Sequence, residues 1–545
     1  MDMKKSKELN SINKKTYIDN LKEITKDELF DGLLGYGLFT DKIPPFLTSE
    51  TFLNFCKNPP SGFNFSSKPR NYINYENIRN INIPRLLSIP NPIAYRNHCD
   101  ILREHWDKLL EFFENKTNEH THKISRIHIR KIDNSSTIFK TCYHDMDDIN
   151  LDDYPNLNVN HLFEMNHKNF CTDDYPEPEL LIGKRYLVKA DISNCFPSIY
   201  THSISWALVG KEEAKRNSKD FDKWYNKIDE ATRNQKDAET HGILIGQHSS
   251  NLISEIILVC IDEVLFRDYK YIRNIDDYSC YVETHEKAEQ FLIDLSNELK
   301  KYNLTLNHKK TEILELPLAS SEHWVRKLNT FIFSSDEKLK LSETRAFLDI
   351  ALDLMQDNKE NSAILNYAIN VLSNKTMTNS SEKYFINTIH HLVLLYPYLI
   401  SLLDDKVFKN FNVEEDEIKK ISQNIFEMAK EKKLYEAMSY ALYFGIKYDF
   451  KIESDLFEII DKNRDAVLML LAYLHDKKFL NSSNSFNTSS LGKKYKKLAK
   501  ELKDDIDEFW IFVYEVLSIG LLEEEWKVMK KEKISFLIDD FQNIL

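Results

Sequence analysis

The stretch Tyr271-Ile272-Arg273-Asn274-Ile275-Asp276-Asp277-Tyr278-Ser279-Cys280-Tyr281-Val282 decides the fold of this chain. Aromatic and β-branched residues, which favour strands, stand on both sides of the acidic pair. The pattern predicts two short strands with Asp276 and Asp277 at the turn between them. The pair by itself is weak support for a site, because the sequence holds seven Asp-Asp pairs and most such pairs are solvated turns.

Three further blocks lie around this hairpin. Upstream, Val188-Lys189-Ala190-Asp191-Ile192-Ser193-Asn194-Cys195-Phe196 begins as a strand that breaks at Pro197. Between them, Gly242-Ile243-Leu244-Ile245-Gly246 reads as a glycine loop before a long apolar helix that ends near Leu265. Downstream, Leu304-Thr305-Leu306-Asn307-His308-Lys309-Lys310-Thr311 reads as a lysine-containing turn.

Aspartates on adjacent strands suit one chemistry in particular. Nucleotidyl transfer uses two divalent metal ions about 4 Å apart, which stabilise the attacking and leaving oxygens. Mg²⁺ prefers carboxylate oxygens and keeps some of its ligand positions for water and substrate phosphates. Two or three aspartates brought together by neighbouring strands meet this need.

The four blocks, in this order, resemble motifs A, B, C and D of reverse transcriptases. The resemblance implies that Asp191, Asp276 and Asp277, helped by the backbone carbonyl of Ile192, hold two Mg²⁺ ions, with Mn²⁺ as an alternative. It also implies that Lys310 lies near the departing pyrophosphate, where it could donate a proton.

The same resemblance implies the substrate contacts. Phe196 matches the aromatic residue that lies under the sugar and excludes a 2′-hydroxyl, so the substrates would be deoxynucleoside triphosphates. Ile192, Gly246 and Gln247 would also contact the nucleotide. The segment Ser125-Arg126-Ile127-His128-Ile129-Arg130-Lys131-Ile132 alternates apolar and basic residues like a half-buried strand. Its Arg126, Arg130 and Lys131 would grip the triphosphate.

Three positions depart from the usual pattern: Ile245 replaces a glutamine, Asn251 a proline and Asn274 an aromatic residue. The first two disfavour ordinary copying of an RNA template. The run Ile199-Tyr200-Thr201-His202-Ser203-Ile204-Ser205-Trp206 and the segment Glu239-Thr240-His241-Gly242 look like bacterial abortive-infection reverse transcriptases of the AbiK type. That resemblance implies antiphage defence, homo-oligomers, and either untemplated synthesis primed by the protein itself or work with a noncoding RNA.

The expected fold class is α+β. We expect an N-terminal extension over residues 1–80 and reverse-transcriptase fingers and palm over 81–330. The rest, 331–545, should be an all-α domain of HEAT-like repeats. Helical periodicity marks its segments, which are 363–372, 382–403, 415–430, 434–445, 454–476, 491–518 and 523–544.

Composition sets limits on these expectations. A length of 545 residues exceeds one compact core, and the net charge of −13 counts against a protein that simply coats nucleic acid. The polar, lysine-rich start, the absence of long apolar runs and seven cysteines without metal-ligand spacing predict a cytoplasmic protein that does not enter a membrane.

Two other functions remain open at this stage. The first is a conventional RNA-templated reverse transcriptase that works with a noncoding RNA. The second is a non-catalytic scaffold whose helical part binds RNA or protein. Three carboxylates held together without a metal repel one another and raise their own pKa values, which disfavours the scaffold.

Overall fold

The computed structural model describes residues 17–39, 42–79, 84–126, 177–319, 323–334, 338–358, 361–480 and 486–545. These ranges form an α+β fold with two antiparallel sheets and many helices. The six strands are β1 (Tyr72–Asn77), β2 (Arg85–Pro90), β3 (Tyr186–Asp191), β4 (Lys270–Asn274), β5 (Asp277–Val282) and β6 (Glu312–Glu315).

The α-helices of the first 330 residues surround these sheets. They are α1 (Tyr17–Lys22), α2 (Lys26–Tyr36), α3 (Glu50–Lys57), α4 (Pro92–Glu104), α5 (Trp106–Thr117), α6 (Glu177–Leu180), α7 (Cys195–Ser198), α8 (His202–Val209), α9 (Lys211–Arg216), α10 (Trp224–Arg233), α11 (His248–Leu265), α12 (His285–Lys301) and α13 (His323–Asn329).

Beyond them the described chain is helical. The α-helices are α14 (Leu341–Asp357), α15 (Ser362–Ser373), α16 (Asn379–Leu395), α17 (Glu415–Lys432), α18 (Tyr435–Lys447), α19 (Leu456–Asn463), α20 (Ala466–Phe479), α21 (Ser490–Glu501), α22 (Ile506–Val516), α23 (Glu524–Lys531) and α24 (Asp539–Gln542). Short 3₁₀ helices lie at Asn234–Lys236, Pro397–Leu402, Phe486–Thr488 and Ile519–Leu521, and one π-helix at Leu403–Phe408. None of the helices in the described ranges has the length and apolarity of a membrane span.

The larger sheet has the strand order β4-β5-β3-β6, and every neighbouring pair is antiparallel. The predicted hairpin is confirmed, since β4 and β5 pair directly around Ile275 and Asp276. Helix α12 packs on β3 and β5 through Ala288, Phe291, Leu295 and Leu299, all fully buried. This helix is therefore amphipathic and covers one face of the sheet with its apolar side.

The C-terminal helices differ from the predicted segments at their breaks. The segment 454–476 is two helices, because Arg464 adopts a left-handed conformation (φ 45°) and the Asp465 carboxylate caps the next helix by accepting from the Leu468 amide. The segment 491–518 is likewise two helices, α21 and α22, and 523–544 contains the short helices α23 and α24. Apolar periodicity continues across these breaks. It therefore predicted that the segments are helical but not where one helix ends and the next begins.

The two ends of the chain pack together. Leu47 and Leu537 form an antiparallel bridge, and the Thr51 hydroxyl donates to the Ser535 carbonyl at 2.5 Å. Strand β1 packs against α22 and α18. One hydrophobic core runs from Tyr17 to Phe541 through both sheets and the C-terminal helices.

Candidate active site

The β4–β5 turn carries two carboxylates on a constrained backbone. Asn274 pairs with Asp277, so Ile275 and Asp276 alone form the turn. Ile275 has φ 54°, in the left-handed region that a β-branched residue rarely adopts. The Ile192 amide donates to the Asp276 carbonyl at 3.2 Å and thereby fixes the turn to the end of β3. Backbone strain that neighbours hold in place is common at functional sites.

Strand pairing brings the third carboxylate to this turn. Asp191, the last residue of β3, lies directly opposite Asp277 in the antiparallel register of β3 and β5. One carboxylate oxygen each from Asp191, Asp276 and Asp277 lies within 4.8 Å of the other two. Asp191 is buried, Asp276 is half-buried and Asp277 is exposed, so the group is open on one side. The structure thus brings together the three aspartates that the sequence predicted as metal ligands.

The three carboxylates oppose one another electrostatically. Burial, followed by the charges of Asp276 and Asp191, raises the pKa of Asp277 to about 6. Burial also raises the pKa of Asp276, which the charge of Asp191 raises further and Lys310 and Arg85 lower. A divalent cation would relieve this repulsion, and three oxygen donors with an open side fit a hard cation that also binds substrate phosphates.

Two residues of the downstream turn hold Asp191. The Asn307 side-chain amide donates to Asp191 Oδ2 at 2.8 Å, and the Asn307 backbone amide donates to the Asp191 carbonyl at 2.7 Å. The Lys310 ammonium lies 3.1 Å from the same Oδ2 atom, and its side chain is 64% exposed. Lys310 therefore reaches the carboxylates and can also reach solvent, as a group that meets a substrate must.

A buried ion network supports the hairpin from behind. Arg273 of β4 is fully buried, and its guanidinium contacts Asp262 at 2.5 Å and Glu255 at 3.0 Å, both on α11. The same guanidinium donates to the Ile275 carbonyl at 2.8 Å. Since buried charges need such partners, this network ties the strained turn to α11.

Comparison with known families identifies the segment that contains these residues. Residues 127–346 match the family model described as reverse transcriptase (RNA-dependent DNA polymerase). This segment is a reverse transcriptase domain. The match spans less than half of the chain, and its first part, up to residue 176, lies outside the described residues. No curated protein matches the sequence.

Among solved structures, the apo telomerase of Candida tropicalis matches with 12% sequence identity and a TM-score of 0.28. The match covers 75% of this chain and 75% of that chain. A TM-score and identity at this level support no inference about the present chain, and the family match rests on sequence alone.

Within the reverse transcriptase domain, the glycine loop packs against the segment that follows Asp191. The Ile243 amide donates to the Phe196 carbonyl at 2.9 Å. Gly242 has φ 81°, and a Cβ there would lie 2.8 Å from the Pro197 carbonyl oxygen, so the close approach requires glycine. Phe196 itself is 8% exposed.

Two of the other predicted nucleotide contacts lie at the start of α11, and two belong to residues that the structure does not describe. Gly246 has φ 130° and leads into α11, whose N-cap residue Gln247 is 3% exposed. The Gln247 Oε1 atom has no hydrogen-bond partner among the described residues. Arg130 and Lys131 belong to the undescribed range 127–176.

Arg126 lies beside strand β4. Its amide donates to the Arg273 carbonyl at 2.8 Å, and its charge lowers the pKa of Tyr281 against the larger raising effect of burial. A different arginine is electrostatically coupled to the carboxylates. Arg85, the first residue of β2, lowers the pKa of Asp276. Burial and then the charge of Arg79 lower the pKa of Arg85, and the charge of Asp276 raises it.

Three residues of the site received no role from the sequence: Asn307 and Arg273, which stand within the motif blocks, and Arg85, which lies outside them. For Arg273 a signal was present. Glu255 and Asp262 interrupt an otherwise apolar helical run, and two acids on a helix that must be buried call for a buried cation. No comparable signal in one sequence singles out Asn307 or Arg85.

Proposed function

We propose that this chain is a DNA polymerase of reverse-transcriptase type that adds deoxynucleotides with two Mg²⁺ ions. The observation that carries the proposal is the convergence of Asp191, Asp276 and Asp277, with carboxylate oxygens within 4.8 Å, inside the segment that matches the reverse transcriptase family. Nucleoside triphosphates and nucleic acid are the partners that this family match supports.

Each residue has a task in the reaction. Asp191, Asp276 and Asp277 would hold the ions, with the Ile192 carbonyl as a further oxygen ligand. The ions would supply charge stabilisation at the attacking and leaving oxygens. The 3′-hydroxyl of the growing strand gives its proton to water, and its oxygen forms a bond to the α-phosphorus as the bond to the pyrophosphate oxygen breaks. Lys310 gives a proton to that leaving oxygen.

The starting position of Lys310 agrees with this task. Its ammonium lies 3.1 Å from the Asp191 carboxylate. Once Asp191 is engaged by a cation, the exposed lysine side chain can turn toward a triphosphate. Arg85, together with Arg126, Arg130 and Lys131, supplies positive charge for that triphosphate, and Phe196 selects the deoxyribose.

The wider role that we propose is antiphage defence in the bacterial cytoplasm by a homo-oligomer, with synthesis that is untemplated and primed by the protein. It rests on the resemblance to abortive-infection enzymes and on Ile245 and Asn251 in the glycine loop and helix. We place domain boundaries at 80 and 330. Packing of α14 on α15 and α16, of α17 on α16 and α18, and of α20 on α18 and α19 supports helical repeats over 331–545. An RNA-templated enzyme with a noncoding RNA is the second candidate.

One experiment separates these functions. The purified protein is incubated with each dNTP and Mg²⁺, with and without primer-template, and the product is resolved on a denaturing gel before and after protease. A variant with Asp276→Ala and Asp277→Ala should lose all incorporation. The matched control, Asp504→Ala with Asp505→Ala, removes an exposed acidic pair and should keep it.

The outcomes are distinct. Product that is attached to protein and made without template supports the proposal in full. Synthesis that requires added template contradicts untemplated priming and favours the second candidate. Absence of incorporation under every condition, with no difference between the protein and the double variant, contradicts polymerase activity and favours a scaffold.

A further inference from the structure

Helix α21 presents a face of lysines to solvent. Its sequence, SLGKKYKKLAKE, contains five lysines and one glutamate. We name Lys493, Lys494, Lys496, Lys497 and Lys500 the lysine face; four are exposed and Lys496 is half-buried. The opposite side of the helix, with Tyr495, Leu498 and Ala499, is buried in the core. A strongly basic surface therefore exists on a chain whose net charge is −13.

Local acids do not neutralise this face. Across the described ranges, its one ion pair joins Lys497 to Glu501 at 3.7 Å, and Lys494 lies 5.5 Å from the centre of the Phe457 ring. Lysines on neighbouring elements are paired more closely. Lys462 contacts Glu458 at 2.6 Å, and Lys503 contacts Glu523 at 2.5 Å.

Further positive charge lies next to the lysine face. Burial lowers the pKa of Lys477 on α20, and the charges of Lys496 and Lys530 lower it further. Like charges gathered in this way destabilise the folded chain by repulsion. A polyanion that binds over them would remove that cost.

We propose that the lysine face binds the phosphate backbone of single-stranded DNA. The identity of the polymer rests on the proposed function, since DNA is what such an enzyme would make. A helix of twelve residues is roughly 18 Å long, which matches about five nucleotides of a stacked strand at about 3.4 Å each. Lysines at spacings of three and four residues lie along one side of the helix, as a row of phosphates requires.

Two other occupants fit less well. An amphipathic helix binds a membrane by inserting its apolar face, and the apolar face of α21 is already packed inside the protein. Stable protein interfaces are rich in aromatic residues and arginine and poor in lysine, whereas the charged groups of this face are all lysines.

The test measures binding of fluorescein-labelled oligothymidylate by fluorescence anisotropy over a series of salt concentrations. All proteins carry Asp276→Ala and Asp277→Ala, so binding is read without synthesis, and a failure of the proposed activity leaves the result intact. The test variant replaces Lys493, Lys494, Lys497 and Lys500 with glutamine. The matched control replaces Lys419, Lys420, Lys430 and Lys432 of α17, which are exposed but lie among acidic residues.

If two to four phosphate contacts are lost, the test variant should bind about 10- to 100-fold more weakly at roughly 0.1 M salt. The slope of log K against log salt should fall in magnitude by about 0.7 for each lost contact. The control should match the parent protein. An unchanged affinity and slope in the test variant, or an equal loss in the control, would overturn the proposal. The proposal would also be overturned if the protein bound oligouridylate or phosphatidylserine vesicles more tightly than oligothymidylate and the same four substitutions abolished that binding.

Discussion

Asp191 is the most constrained carboxylate of the site. It is 5% exposed, pairs across the sheet with Asp277, and accepts from Asn307 while Lys310 lies beside it. Asp276 and Asp277 sit on a turn and are more open to solvent. A fixed first ligand with two more accessible ones leaves room for a nucleotide to complete the coordination of a cation.

Replacing Asn307 tests how strongly Asp191 must be held. Asn307→Ala removes the 2.8 Å hydrogen bond to Asp191 Oδ2. Loss of a hydrogen bond to a ligating carboxylate lowers metal affinity or activity about 10- to 100-fold, and we expect that loss here with a higher Mg²⁺ requirement. The measurement is dNTP incorporation against Mg²⁺ concentration, with the exposed neighbour change His308→Ala as control. An unchanged Mg²⁺ dependence would contradict the role.

Replacing Phe196 tests sugar selection. Phe196→Val shortens the side chain expected beneath the deoxyribose, and we expect the preference for dNTP over NTP to fall about tenfold or more. The measurement is the ratio of kcat/KM for dATP and ATP. Because Phe196 is 8% exposed, thermal melting of the variant must accompany the kinetics. A destabilised variant with an unchanged ratio would show that Phe196 is a core residue without a selective role.

At the scale of elements, the hairpin and α11 act as one unit through Arg273. Its fully buried guanidinium joins Glu255 and Asp262 of the helix to the Ile275 carbonyl at the turn. A β-branched residue at φ 54° would relax without such contacts. The geometry of the metal ligands thus depends on a helix that contributes none of them.

The variant Arg273→Met leaves two buried carboxylates without a cation, and we expect a loss of about 3 to 5 kcal/mol in unfolding free energy. Adding Glu255→Gln and Asp262→Asn removes those charges and should recover much of the stability. The hydrogen bond from Arg273 to the Ile275 carbonyl is absent from the single and the triple variant, so we expect both to require a higher Mg²⁺ concentration than the parent. Urea unfolding and Mg²⁺ titration distinguish the two effects. Full recovery of Mg²⁺ dependence with stability would mean that Arg273 serves folding alone.

Glu436 of α18 joins the C-terminal helices to the small sheet. Its carboxylate accepts from the Asn77 side chain at 2.9 Å and from the Ile78 amide. Burial raises its pKa from 4.5 to about 7. The folded chain therefore holds this proton more tightly than the unfolded chain does. The resulting stability is present below pH 4.5 and is lost as pH rises through about 7.

Glu436→Gln removes this dependence. We expect the melting temperature of the variant, relative to the parent, to rise by several degrees between about pH 5 and pH 8. Thermal melts over that range provide the measurement, and the exposed change Glu427→Gln on α17 is the control. A difference between variant and parent that does not vary with pH would contradict a titrating Glu436.

At the scale of the whole molecule, the N-terminal segment and the last helices share one core. Phe52 and Phe536 have ring centres 5.4 Å apart, and Phe46 and Phe541 are 5.7 Å apart. Ser66 and Arg70 both donate to Glu525. The N-terminal segment and the last helices therefore pack against each other, and the reverse transcriptase domain lies between them in the sequence.

A fragment of residues 1–330 should fold poorly, because it exposes the apolar surface that α18, α22 and α24 cover. We expect aggregation or a non-cooperative melt for the fragment and a single unfolding transition for the full chain. Solubility and circular dichroism melts test this. A soluble fragment with a cooperative transition would show that the segment 331–545 is dispensable for folding.

Local sequence determined much of the site. The hairpin, the strand before the glycine loop, that loop and the lysine turn follow from residue types and short-range periodicity, and the structure contains all of them. The strand ends at Asp191 and not at Pro197, which lies in the short helix α7. Asp276 and Asp277 lie at the two-residue turn between β4 and β5, and Asp191 joins them because β3 pairs with β5 in the register that sets it opposite Asp277. These features depend on contacts between residues near in sequence or on adjacent strands.

Tertiary structure alone decided the rest. Four interactions join segments that are distant in sequence. Arg273 pairs with two acids of α11, and Asn307 donates a hydrogen bond to Asp191. The charge of Arg85 lowers the pKa of Asp276, and the two ends of the chain pack together. A sequence pattern reports which residues seek burial or a partner, but not which partner they meet. That choice is made by the packing of the whole core, which brings Glu255 and Asp262 to Arg273 but only neutral donors to Glu436.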